Sequence, residues 1–80
     1  MAQAEILVLD ASVAVKWYNP EPLRENAVAI RNGFRAGRIS LVAPALIYYE
    51  VANALRYNPK FGIEEVKMAL ESLENLQLEM

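Results

Sequence analysis

Two short apolar runs, each followed by helix-forming sequence, constrain this chain more than any other feature. The first, Glu5 to Leu9, reads EILVL; the second lies within RISLVAP, Arg38 to Pro44. Short aliphatic, β-prone runs of this kind read as strands buried on both faces. After the first run, DASVAVKWY gives one or two helical turns that end before Pro20. The stretch NPEP is then a turn, because two prolines two apart do not lie inside a helix. From Pro22 to Ala36, Leu23, Ala27, Ile30 and Phe34 recur at helical spacing, with Pro22 at the first helical position and Gly37 at the stop. After the second run, Pro44 opens a helix through about Tyr57, and NPKFG makes the following turn. A last helix begins near Ile63, with Glu64 and Glu65 in a first turn that favours acids and a stripe of Ile63, Val66, Leu70 and Leu73.

The expected order is therefore β-α-α-β-α-α: an α/β fold in which a parallel sheet is flanked by helices. Two short parallel strands leave unpaired edges on each side. The ending LQLEM stops where a further connection is expected, so residues 1–80 read as the N-terminal portion of a single larger domain, truncated before its later strands. Such a chain is expected to form a homodimer or higher assembly.

Composition narrows the chemistry. At 55% hydrophobic and 22% charged residues the chain reads as globular, and a core formed by eighty residues is thin. No apolar run reaches the ~20 residues that span a bilayer, and MAQAE lacks the features of a signal peptide. A cytoplasmic location and no membrane partner are expected. There is no cysteine and no histidine, which removes thiolate metal sites, disulfides and imidazole catalysis. What remains is carboxylates, hydroxyls, lysines or a hard cation. A net charge of −2 does not suggest bulk electrostatic gripping of nucleic acid.

Two carboxylates stand out. Asp10 ends the first apolar run, at the carboxyl end of a parallel strand, where open α/β sheets bind ligands. Local sequence is compatible with that role and equally with Asp10 or Ser12 capping the next helix. Glu50, in PALIYYEVANALRY, falls by helical spacing on the stripe Leu46, Ile47, Val51, Ala54 and Leu55. Glutamate is almost never fully buried without a partner, the alternative being a helix end that protrudes into solvent. Both acids belong to the carboxyl ends of the strands and converge on one crevice in this reading. Oxygen ligands alone favour Mg²⁺ or Mn²⁺. Ser12 and Asn53 are supporting candidates, the first beside Asp10 and the second three residues after Glu50. Arg24, Arg31, Arg35 and Arg38 fall along one side of the second helix, as a solvated face or as a phosphate or partner contact. Trp17, Tyr48 and Tyr49 read as packing rather than base-stacking residues.

The blocks VLDASVAVKWY and APALIYYEVANALRY, with an amphipathic helix between them, resemble the PIN domain, and within it the VapC-type toxins of prokaryotic toxin–antitoxin pairs. The match covers nearly all eighty residues. The resemblance implies a Mg²⁺- or Mn²⁺-dependent endoribonuclease acting on RNA, held by a cognate antitoxin protein. It matches Asp10 to the family's first acid, Glu50 to its second, and Ser12 to a small polar position beside the first. The family's later acids are aspartates beyond the helix from Ile63 to Leu76, and this chain has no such segment, so as given it is expected to be inactive. The competing reading is a non-catalytic PIN-derived interaction or dimerisation module. A phosphatase-like or receiver-like domain fits less well, because it expects several adjacent acids and LDAS offers one.

Overall fold

The computed structural model describes residues 5–79, and the expected order of elements is present. Strand β1 (Glu5–Val8) leads into α1 (Ala11–Lys16) and α2 (Arg24–Arg35); β2 (Ile39–Val42) leads into α3 (Ile47–Arg56) and α4 (Ile63–Asn75). The two strands pair in parallel, Leu7 opposite Leu41 and Val8 opposite Val42. Past α4, Gln77 takes a positive φ of 54° and turns the chain back toward the sheet. Leu78 is buried there, and Glu79 pairs in parallel with Val42, its carbonyl accepting from the Ala43 N–H at 2.8 Å. The expected open edge of β2 is thus already met by LQLE, on the side away from β1.

Strand β1 is not buried on both faces. Leu9, Leu41 and Ala43 are each 2% exposed, whereas Ile6 and Val8 are 72% and 78% exposed. The period-2 alternation of a strand sends Leu7 and Leu9 toward the helices and Ile6 and Val8 away from them. Among the described residues, nothing covers that second face. On the covered face, α2 approaches β2 closely: a Cβ added at Gly33 would lie 2.6 Å from the Ile39 Cδ1. Glycine in a helix interior costs roughly 0.5–1 kcal/mol against alanine, and here it gives Ile39 room. The same helix ends in a Schellman motif. Arg38 N–H donates to the Gly33 carbonyl at 2.9 Å and Gly37 N–H to that of Phe34 at 3.1 Å, with Gly37 at φ 80° as expected of the stop.

Helix starts are where expectation and structure part. Pro22 does not begin α2. It occupies the second position of a turn closed by Arg24 N–H to the Glu21 carbonyl at 3.2 Å, and Leu23 takes the left-handed conformation at φ 67°. Pro44 likewise precedes a turn, its carbonyl accepting from Ile47 N–H at 2.9 Å, so α3 begins at Ile47. Consequently Leu23, Leu46 and Ile63, each placed at the head of an apolar stripe, are 68%, 66% and 75% exposed. They stand at or just before the first turn, beyond the packed layer. The faces that bury are Ile47, Val51 and Leu55 of α3 and Ala69 and Leu73 of α4. Trp17 packs as expected and donates its indole N–H to the Ala27 carbonyl at 2.7 Å. Tyr48 packs partly against the core, but Tyr49 is exposed. No helix among the described residues is long and apolar enough to cross a membrane.

Candidate functional site

Asp10 caps α1. It is extended, at φ −94° and ψ 147°, and its Oδ2 accepts from the Ser12 N–H at 3.3 Å and from the Ser12 hydroxyl. Two residues after the last paired residue of β1, an acid with a short polar neighbour closes the exposed start of a helix. Those bonds hold the Asp10 carboxyl below the usual carboxylate range, the Ser12 hydroxyl contributing most and its amide next, with Lys16 adding a smaller attraction. The side chain is nonetheless exposed. Capping and strand-end placement coexist, because the carboxylate that caps the helix is still exposed.

Glu50 is not on the buried stripe. The line that buries is Ile47, Val51 and Leu55, and Leu46, Glu50 and Ala54 form the exposed line beside it. One helical position, about 100° of rotation, separates the two lines, so apolar periodicity alone did not decide between them. Among the described residues the Glu50 carboxylate makes no hydrogen bond or ion pair. It lies in the first turn of α3, and Asn53, one turn on, is half-buried.

Topology relates the two acids. β1 and β2 run parallel, so the starts of α1 and α3 both lie beyond the carboxyl end of the sheet, and these two helices pack on each other. The donor set is oxygen only: the exposed Asp10 carboxylate, the Glu50 carboxylate, unpartnered among the described residues, and the Ser12 hydroxyl. That chemistry suits a hard cation retaining several waters. Among the described residues, no three His, Cys, Asp or Glu gather for a metal. Two carboxylates and a hydroxyl are donor types that a hydrated Mg²⁺ or Mn²⁺ would accept, and are fewer than such an ion binds.

Sequence reasoning missed a polar link between two loops. Asn19 donates to Glu21 Oε2 at 2.8 Å and accepts from Asn58 Nδ2 at 2.6 Å, while Lys16 pairs with Glu21 at 3.3 Å. Asn58 also accepts from Lys60 N–H at 2.9 Å, an Asx turn. The available signal was the repeated Asn-Pro, at Asn19–Pro20 and Asn58–Pro59. Compared with family models, with curated proteins and with solved structures, the chain matches none.

Proposed function

We propose that the chain contributes the first two acids of a PIN-like, metal-dependent endoribonuclease of the VapC toxin type. The observation that carries this reading is the placement of Asp10 and Glu50. They follow the carboxyl ends of two paired parallel strands, at the starts of two helices packed on each other. Asp10 and Glu50 would hold Mg²⁺ or Mn²⁺, which when bound supplies an acidified water and charge stabilisation at a phosphodiester. Ser12 keeps Asp10 ionised and oriented through its two hydrogen bonds, and Asn53 stands one turn from Glu50 on the same helix. RNA as substrate and a cognate antitoxin as partner follow from the resemblance of VLDASVAVKWY and APALIYYEVANALRY.

Two carboxylates leave most of an octahedral shell to water, so binding is expected to be weak and RNA cleavage by these eighty residues no greater than background. Mn²⁺ titration followed by paramagnetic broadening tests the site. Resonances of Ser12 and Glu50 should broaden together at low Mn²⁺, and either Asp10→Asn or Glu50→Gln should abolish the effect at both. Broadening near only one acid would separate them and sink the shared site. A second reading, a non-catalytic PIN-derived module that acts by association, is favoured by the exposed Ile6 and Val8 on the uncovered sheet face. It predicts no focused Mn²⁺ effect at either acid.

A further inference from the structure

Six asparagines occur in the chain, and Asn32 is the one followed by glycine, within RNGFR of α2. Asn19 and Asn58 precede proline, whose nitrogen carries no hydrogen, and Asn26, Asn53 and Asn75 precede residues that bear side chains. A glycine after asparagine leaves the next amide nitrogen unhindered and its backbone free to turn, which is what attack on the asparagine side chain requires. Asn32 is exposed, and its amide makes no side-chain hydrogen bond among the described residues. Gly33, by contrast, is buried, with the Ile39 Cδ1 only 2.6 Å from where a Cβ would stand. Packing against β2 thus favours glycine at the position where it makes the preceding asparagine reactive.

We propose that Asn32 is a spontaneous modification site, masked by the folded end of α2 and exposed to reaction when that end opens. The Gly33 amide nitrogen attacks the Asn32 side-chain carbonyl carbon, a C–N bond forms, and the side-chain nitrogen leaves as ammonia. Water then opens the cyclic imide at either carbonyl, giving aspartate or isoaspartate, with no oxidant or reductant consumed. Within α2 the attack is opposed on two counts. Helical ψ turns the Gly33 nitrogen away from the Asn32 side chain, and its N–H is committed to the carbonyl four residues back. The carbonyls of Asn32, Gly33 and Phe34 accept from the N–H groups of Ala36, Arg38 and Gly37 at 3.0, 2.9 and 3.1 Å, so the reactive step lies among the bonds that close the helix. Isoaspartate routes the main chain through the former side chain and lengthens it by a methylene. The acceptors of the Schellman turn then fall out of register, and a new negative charge stands at the end of the helix where the dipole disfavours it. Because Arg38 leads directly into β2, the same change displaces Ile39 from its place beside Gly33. A chain that opens here is marked and does not close again. The reaction needs neither Asp10 nor Glu50, so it stands apart from the ribonuclease reading.

Peptide mapping of the chain after incubation at mildly alkaline pH, folded or in urea, reads conversion at Asn32 directly. In urea Asn32 should convert faster than any other asparagine, and folding should slow it at least about tenfold, as expected of a step that waits on local opening. Gly37→Ala meets no atom nearby but strains a turn at φ 80°, so it loosens the helix end. It should speed conversion of the folded chain about fivefold, the left-handed penalty expressed as a rate, and leave the rate in urea unchanged. Asn32→Gln, whose longer side chain closes such a ring slowly, should stay intact in both conditions. The purified isoaspartate form should lose helical circular dichroism and unfold at a lower urea concentration than Asn32→Asp, which has the same charge on an ordinary backbone. The proposal is overturned if folded and unfolded chains convert equally fast, if another asparagine outruns Asn32 in urea, if Gly37→Ala leaves the folded rate unchanged, or if the isoaspartate form is as stable as Asn32→Asp.

Discussion

At Asp10, one side chain meets two demands that the sequence presented as alternatives. The Ser12 bonds make it a helix cap, and the end of β1 makes it a ligand candidate. Substitution separates them, because asparagine caps about as well as aspartate whereas alanine does not. Asp10→Ala should lower the denaturation midpoint and Asp10→Asn should leave it near wild type, while both remove the Mn²⁺ effect. Equal losses of stability in the two variants would show that the negative charge, not the cap geometry, supports the fold. Leu23 presents the opposite case, a residue type at odds with its backbone. A type II turn wants glycine or asparagine where Leu23 sits at φ 67°. The left-handed conformation costs an ordinary residue roughly 1–2 kcal/mol, partly offset in a glycine variant by a freer unfolded chain. With its side chain 68% exposed, Leu23→Gly gives up little burial and should gain up to about 1 kcal/mol, read by urea denaturation. No gain would mean that the leucine makes a contact whose loss offsets the relief.

Among the elements, strands and helices were legible because their periodicities are local, whereas boundaries depended on where each helix meets the layer. Pro22 and Pro44 both signalled helix starts, and both serve turns that precede them. Leu23, Leu46 and Ile63 continued the apolar rhythm in sequence, yet each stands where the helix begins and stays largely exposed. Glu50 was misplaced for a related reason: a stripe read one position wide of the buried line takes in its exposed neighbours. The Asn19–Asn58 contact was illegible, since pairing two loops 39 residues apart requires the fold itself. That contact carries its own prediction. Asn58→Ala removes the bond to Asn19 and the Asx turn to Lys60, and should cost about 1–2 kcal/mol. A double-mutant cycle with Asn19→Ala should return a coupling near 0.5–1 kcal/mol. Glu21 links this contact to pH. The Asn19 amide first, and Lys16 after it, hold the Glu21 carboxyl below its ordinary value of 4.5. A depressed folded-state pKa contributes stability that is complete above about 4.5 and lost as pH falls through the folded value. Asn19→Ala should therefore flatten the fall in stability between neutral and acid pH, and an unchanged slope would remove Glu21 from the account.

Across the whole molecule, the helices and the sheet place apolar surface unequally. The core collects Trp17, Leu41, Ile47, Val51, Leu55 and Leu73 on one side of the sheet, while Ile6 and Val8 project from the other. Parallel sheets are ordinarily covered on both faces, and an exposed apolar face beside an unpaired strand edge recruits further chain. Here β2 is paired on both sides, by β1 and by Glu79, and among the described residues β1, which bears Ile6 and Val8, has a free edge. Edge and face thus coincide on one strand, and the expected outcome is self-association through β1. Sedimentation of the eighty-residue chain over a concentration series should show reversible assembly. Val8→Lys places a charge at the centre of the exposed face without touching the core, and should shift the chain toward monomer with its helical circular dichroism unchanged. Because Asp10 lies two residues beyond Val8, assembly through this strand would also crowd the candidate metal site. Weak Mn²⁺ binding should therefore strengthen in the Val8→Lys monomer. If Val8→Lys assembles as readily as wild type, the contact lies elsewhere on the surface and β1 is not its seat.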